Sequence, residues 1–102
     1  IRAVARDGAV DLSWKDSSDA DLGGYLVYYG TSSTAYFGKS AILGVSPIDV
    51  GISTSVHIDG LKNGTLYYFA VAAYDKADQP HIGEFSKEAA ARPLQFIYPA
   101  SY

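Results

Sequence analysis

The sequence predicts an all-β fold, a seven-stranded antiparallel β-sandwich. Three observations carry that prediction. Short runs alternating apolar with polar residues recur along the chain, punctuated by glycine, proline and β-branched residues. No window of useful length keeps a helical period. Turn signals return about every 8–12 residues, the spacing of a sandwich rather than of a sheet with crossover helices.

Taken in order, Ile1, Ala3 and Ala5 alternate with Arg2, Val4 and Arg6, a first strand. Asp7-Gly8 follows, a strong hairpin signal. Val10, Leu12 and Trp14 alternate with Asp11 and Ser13 as the returning strand, and a polar loop runs from Lys15 to Gly24. Tyr25, Val27 and Tyr29 alternate with Leu26 and Tyr28 in the third strand. A long Ser- and Gly-rich connection, Thr31 to Ser46, precedes a short edge strand at Val50-Gly51. Val56 and Ile58 alternate with Ser55 and His57 in the fifth strand. The sixth, within "GLKNGTLYYFAVAAYD", is apolar or aromatic at nearly every position from Leu66 to Tyr74, on both faces. A half-solvated strand would alternate. After the loop "DKADQPHIGE", Phe85 to Ala91 makes a last, weaker strand, which Pro93 stops.

Composition bounds the function. The chain has 102 residues, 48% of them hydrophobic, enough for one core. A net charge of −3 with no run of like charge excludes a nucleic-acid face and a polybasic hold on a membrane. The longest apolar run is far short of the roughly 20 residues of a membrane helix. With no cysteine there is neither a disulfide framework nor a thiolate metal site. A chain that starts at Ile1 with no signal peptide reads as a processed product or a piece of something longer.

At these residues the chain resembles a fibronectin type III domain. Trp14 stands where that family keeps its second-strand tryptophan. "GYLVYYG", Gly24 to Gly30, is similar to its third strand, and "GLKNGTLYYFAV" to its signature of a leucine, a short turn and a tyrosine opening the sixth strand. The resemblance covers Ile1 to Pro93, so the expected organisation is a domain at 1–93 and an aromatic tail or linker at 94–102. It implies an immunoglobulin-like sandwich. "SDADLGGYLVYYGTSS" and "SPIDVG" resemble copies from secreted and surface bacterial proteins, which implies an extracellular or cell-surface setting. The connection after Gly30 is longer, and the tail more aromatic, than is usual for the family. Physical reasons agree. Tyr67 is expected to form a tyrosine corner, its ring in the core and its hydroxyl bonded to backbone just upstream. Its loss would then strand a buried acceptor. Leu61 would plug the same end, and Trp14 would lie between the sheets against Tyr25, Val27, Phe69 and Val71.

The search for chemistry finds no enzyme. His57 and His81 read as solvated surface histidines with no nucleophile to activate. No serine sits in G-x-S-x-G. Asp16, Asp19 and Asp21 lack the alternating spacing and distal glutamate of a calcium loop and read as local backbone caps, so no metal and no cofactor is expected. Asn63-Gly64-Thr65 is a formal glycosylation sequon, but Asn-Gly also supplies turn geometry. No Arg-Gly-Asp is present, so integrin adhesion does not carry over from animal relatives.

The second face of the sixth strand therefore carries the functional expectation. Leu26, Tyr28, Tyr68 and Tyr74 would form a contiguous surface floored by Ala70 and Ala72. Tyrosines do pair across ordinary wet sheets, but Tyr36, Phe37, Ile42 and Leu43 add to the apolar inventory. So do Phe96, Ile97, Tyr98 and Tyr102. A small domain alone rarely bares so much. Two functions follow. One is a non-catalytic spacer or assembly subunit, contacting a neighbouring domain or subunit, further copies included, through this face and through Phe96, Tyr98 and Tyr102. The other is a carbohydrate-binding accessory module of a secreted enzyme, with Tyr28, Tyr68 and Tyr74 stacking on polysaccharide.

Overall fold

Seven strands form in chain order in the computed structural model, which describes residues 1–95. They are β1 (Arg2–Arg6), β2 (Ala9–Ser13), β3 (Leu22–Gly30), β4 (Ile48–Gly51), β5 (Ser55–Asp59), β6 (Tyr67–Asp75) and β7 (Ala89–Ala91). One sheet has the order β1-β2-β5 and the other β4-β3-β6-β7, with every pairing antiparallel. This is the predicted all-β sandwich. β3 and β6 pair along almost their whole length, from Leu22 opposite Asp75 at an upper end to Gly30 opposite Tyr68 at a lower end.

Alternation fills the space between the sheets. Val10 and Leu12 of β2 and Ile58 of β5 meet Tyr25, Val27 and Tyr29 of β3 and Tyr67, Phe69 and Val71 of β6, all buried. Gly8 sits at φ +63° in the β1-β2 turn, a conformation glycine adopts freely. Its amide donates to Asn63 Oδ1 at 2.7 Å and its carbonyl accepts from Leu61 at 3.0 Å. The hairpin turn is thereby stitched to the β5-β6 connection, and Leu61 is buried against the core.

The tyrosine corner forms with one difference. The Tyr67 hydroxyl accepts a hydrogen bond from the Lys62 amide at 2.9 Å, so the backbone partner is a donor, not the expected acceptor. Trp14 lies just past β2 and is half-buried beside the core. It meets Tyr25 edge-on at 5.6 Å, and its buried indole N–H has no hydrogen-bond partner among the described residues.

Three strand boundaries move, the first being β3, which starts at Leu22 inside the expected Lys15–Gly24 loop. β4 is longer than expected because Ile48 reaches the core. The last strand is shorter than Phe85–Ala91, and the reason is Ser86. Its hydroxyl accepts the Val71 amide at 3.0 Å, taking the place of a ladder carbonyl. Regular pairing resumes only at Ala89. Pro93 ends the strand and is itself fully buried, and the Leu94 amide donates to the Arg6 carbonyl at 3.1 Å.

Candidate interaction surface

The outward face of the four-stranded sheet is laid out by register. Gly24 stands opposite Tyr74, Leu26 opposite Ala72, Tyr28 opposite Ala70, and Gly30 opposite Tyr68. Tyr68 and Tyr74 are thus six residues apart on one strand, about 20 Å at the strand rise. Tyr28, Tyr68 and Tyr74 do not form the single patch expected of them. The face divides into a lower half holding Tyr28 and Tyr68 and an upper half holding Leu26 and Tyr74.

The lower half is partly roofed by the chain itself. Phe85 packs edge-on against Tyr28 at 4.7 Å and against Tyr36 at 5.5 Å, and Tyr28 and Tyr36 lie 6.3 Å apart. Ala70, which points outward beside Tyr28, is 0% exposed in consequence. Glu88 fixes this roof. Its carboxylate accepts from the Ser33 hydroxyl at 2.6 Å, the Thr34 amide at 2.8 Å and the Tyr36 hydroxyl at 2.7 Å. Thr34 is held at φ +62° in the tightened turn. The Ser33 hydroxyl, then the Tyr36 hydroxyl and the Thr34 amide, hold the Glu88 carboxyl below its ordinary range. Burial, then the Glu88 carboxylate, pushes Tyr36 up to about 12. Phe85 remains 53% exposed and Phe37, next along from Tyr36, 82% exposed.

In the upper half, Tyr74 lies across β3 over Gly24, where any β-carbon would strike its ring. Its hydroxyl donates to Asp49 Oδ1 on β4 at 2.8 Å, and this bond, ahead of burial, raises its pKa. The Gly51 amide also donates to Asp49 Oδ1, at 2.9 Å.

At the lower end, Tyr29 orders the long connection. Fully buried, its hydroxyl donates to the Gly44 carbonyl at 2.6 Å and accepts from the Ala41 amide at 3.2 Å. Ile42, Leu43 and Val45 are exposed on this anchored loop. Phe96, Tyr98 and Tyr102 lie outside the described residues.

Several other polar groups are engaged locally. Asp16 Oδ1 accepts from the buried Tyr25 at 2.7 Å, and Asp19 Oδ1 accepts from the Asp21 amide at 2.9 Å. Among the described residues no three His, Cys, Asp or Glu side chains gather as a metal site. Arg6 at 2.9 Å and His57 both hold the Asp11 carboxylate, Arg6 doing most to lower its pKa. His81 pairs with Asp75 at 2.8 Å, and the His81 amide does most to lower that carboxyl. Asn63 spends its amide on the Gly8 amide and on Asp7, the latter at 2.8 Å.

The sequence reading missed three partners: Phe85 on Tyr28, Glu88 on the 33–36 turn, and Asp49 on Tyr74. The two-glycine step Gly23-Gly24 was the one available sign, since it leaves room for a ring to lie across β3.

The family model described as "Fibronectin type III domain" matches residues 1–87. The chain is similar to the solution structure of the fn3 domain of human contactin 1, with a TM-score of 0.74 and 16% identity over 99% of this chain and 79% of that one. It is also similar to the fibronectin type III domain derived from human KIAA0970 protein, with a TM-score of 0.64 and 24% identity over 97% and 75% of the two chains. No curated protein sequence matches the chain.

Proposed function

This chain belongs to the fibronectin type III family, whose domains are generally non-catalytic modules for structure or interaction, and from that membership we propose that it is an extracellular spacer or assembly module contacting a protein partner through the outward face of β4-β3-β6-β7. The domain boundary falls at Pro93, and residues 94–102 add a second contact to a neighbouring domain or subunit, further copies included. Membership also favours an extracellular or cell-surface setting, where such domains are common.

One observation carries the reading. Tyr28, Tyr36 and Phe85 form an ordered aromatic cluster on the sheet face, flanked by Tyr68 and by the exposed Phe37. Ordered aromatics offer contact area at low entropy cost, and that suits protein partners. The rings of this cluster are inclined to one another by 58°, 73° and 82°, so Tyr28 has no coplanar neighbour within it on which a sugar chain could continue to stack, and Tyr68 and Tyr74 of the expected sugar platform stand about 20 Å apart on β6. This favours protein over polysaccharide. The test is light scattering on the complete native protein carrying Tyr68→Ser and Phe85→Ser. The expected result is a folded domain with weakened association, and unchanged association would overturn the proposal.

A further inference from the structure

The upper half of the same face contains a groove of about 210 Å³ lined by Leu26, Asp49, Tyr74, Pro80 and Ile82. Sites for drug-sized ligands begin at about 300 Å³, so this one fits a single long side chain. Its walls are apolar apart from one carboxylate. Asp49 Oδ1 is loaded by the Tyr74 hydroxyl and the Gly51 amide, while Oδ2 has no hydrogen-bond partner among the described residues. The Tyr74 ring is held in place by Gly24 beneath it and Asp49 at its tip.

We propose that this groove receives a cationic side chain, arginine above all, from the protein partner. Charge complementarity identifies the occupant. A lone carboxylate oxygen at the lip of an apolar slot, on a chain of net charge −3, matches a long aliphatic stem ending in a positive head. The stem lies along Leu26, Pro80 and Ile82. The guanidinium donates to Asp49 Oδ2 and stacks on the face of Tyr74, a geometry that favours arginine over lysine. The proposal rests on the reading of this face as a protein-contact surface and names what the partner brings to it.

The test is an NMR titration of the 1–102 chain with Ac-Gly-Arg-Gly-NH2, with the same peptide carrying uncharged citrulline, and with cellohexaose. The arginine peptide is expected to shift Leu26, Tyr74 and Ile82 saturably, with citrulline about tenfold weaker. Tyr28 and Phe85 should stay unmoved. Asp49→Asn, whose amide oxygen still accepts from Tyr74 and Gly51, should lose that preference without unfolding. Equal response to arginine and citrulline, non-saturable shifts, a preference retained in Asp49→Asn, or stronger shifts with cellohexaose would each overturn the proposal. An overturned groove with the Tyr68/Phe85 association defect intact would leave the protein-contact reading standing; the loss of both would remove it.

Discussion

The hydroxyl of Tyr67 is the only hydrogen-bond partner of the Lys62 amide among the described residues. Tyr67→Phe keeps the buried ring and strands that donor. Because Lys62 lies at the surface, the expected loss is at the lower end of the unsatisfied-group range, about 1 kcal/mol by urea denaturation. An unchanged midpoint would show that the corner bond contributes nothing. Glu88 gives a pH signature. Its folded carboxyl sits below the ordinary value of 4.5, so its contribution is complete above that value and is lost as pH falls through the lowered one. Glu88→Gln should therefore flatten the acid limb of the stability curve while leaving the Asp11 and Asp75 contributions in place. Tyr36 acts with the opposite sign. Its pKa, pushed up to about 12, gives stability that is complete below the ordinary 10.0 and is lost as pH rises through 12. Phenolate absorbance should lose a late step in Tyr36→Phe, and an identical titration would remove the clamp from the account.

Among the elements, β3 was legible because Tyr25, Val27 and Tyr29 alternate with Leu26 and Tyr28, β6 because its apolar run is bounded by turn residues and too short for a membrane helix, and β1 and β2 because Asp7-Gly8 joins them. The start of β7 was not, because a serine side chain standing in for a ladder carbonyl leaves no mark on hydrophobic pattern. The face of β6 was legible as doubly apolar. What covers it was not, since Phe85 and Tyr36 arrive from distant segments that no local period relates to Tyr28. The resulting pair is testable. A double-mutant cycle with Tyr28→Ala and Phe85→Ala should give a coupling of about 0.5–1.5 kcal/mol, the range for edge-on aromatic pairs. Additive effects would mean that the roof is loose. Gly24→Ala should push Tyr74 away from Asp49, seen as loss of the raised Tyr74 pKa.

In the whole molecule, β1 starts at the upper end of the sandwich and β7 finishes at the lower end. Pro93 is buried and the Leu94 amide is tied to the Arg6 carbonyl, so the chain is still anchored to the sandwich at the proposed boundary. Deleting 94–102 removes one described backbone bond to β1 and is expected to leave a stable domain that assembles less well. Unfolding of the truncated chain would make the tail an internal brace instead. Whether the outward face of β4-β3-β6-β7 meets protein is decided by site-specific photocrosslinking. A photoreactive phenylalanine at position 68 is compared with one at position 57, which faces outward from the other sheet. A discrete protein adduct is expected from position 68 in the complete native protein and none from position 57. Equal labelling from both positions, or an adduct that polysaccharide-degrading enzymes remove, would contradict it.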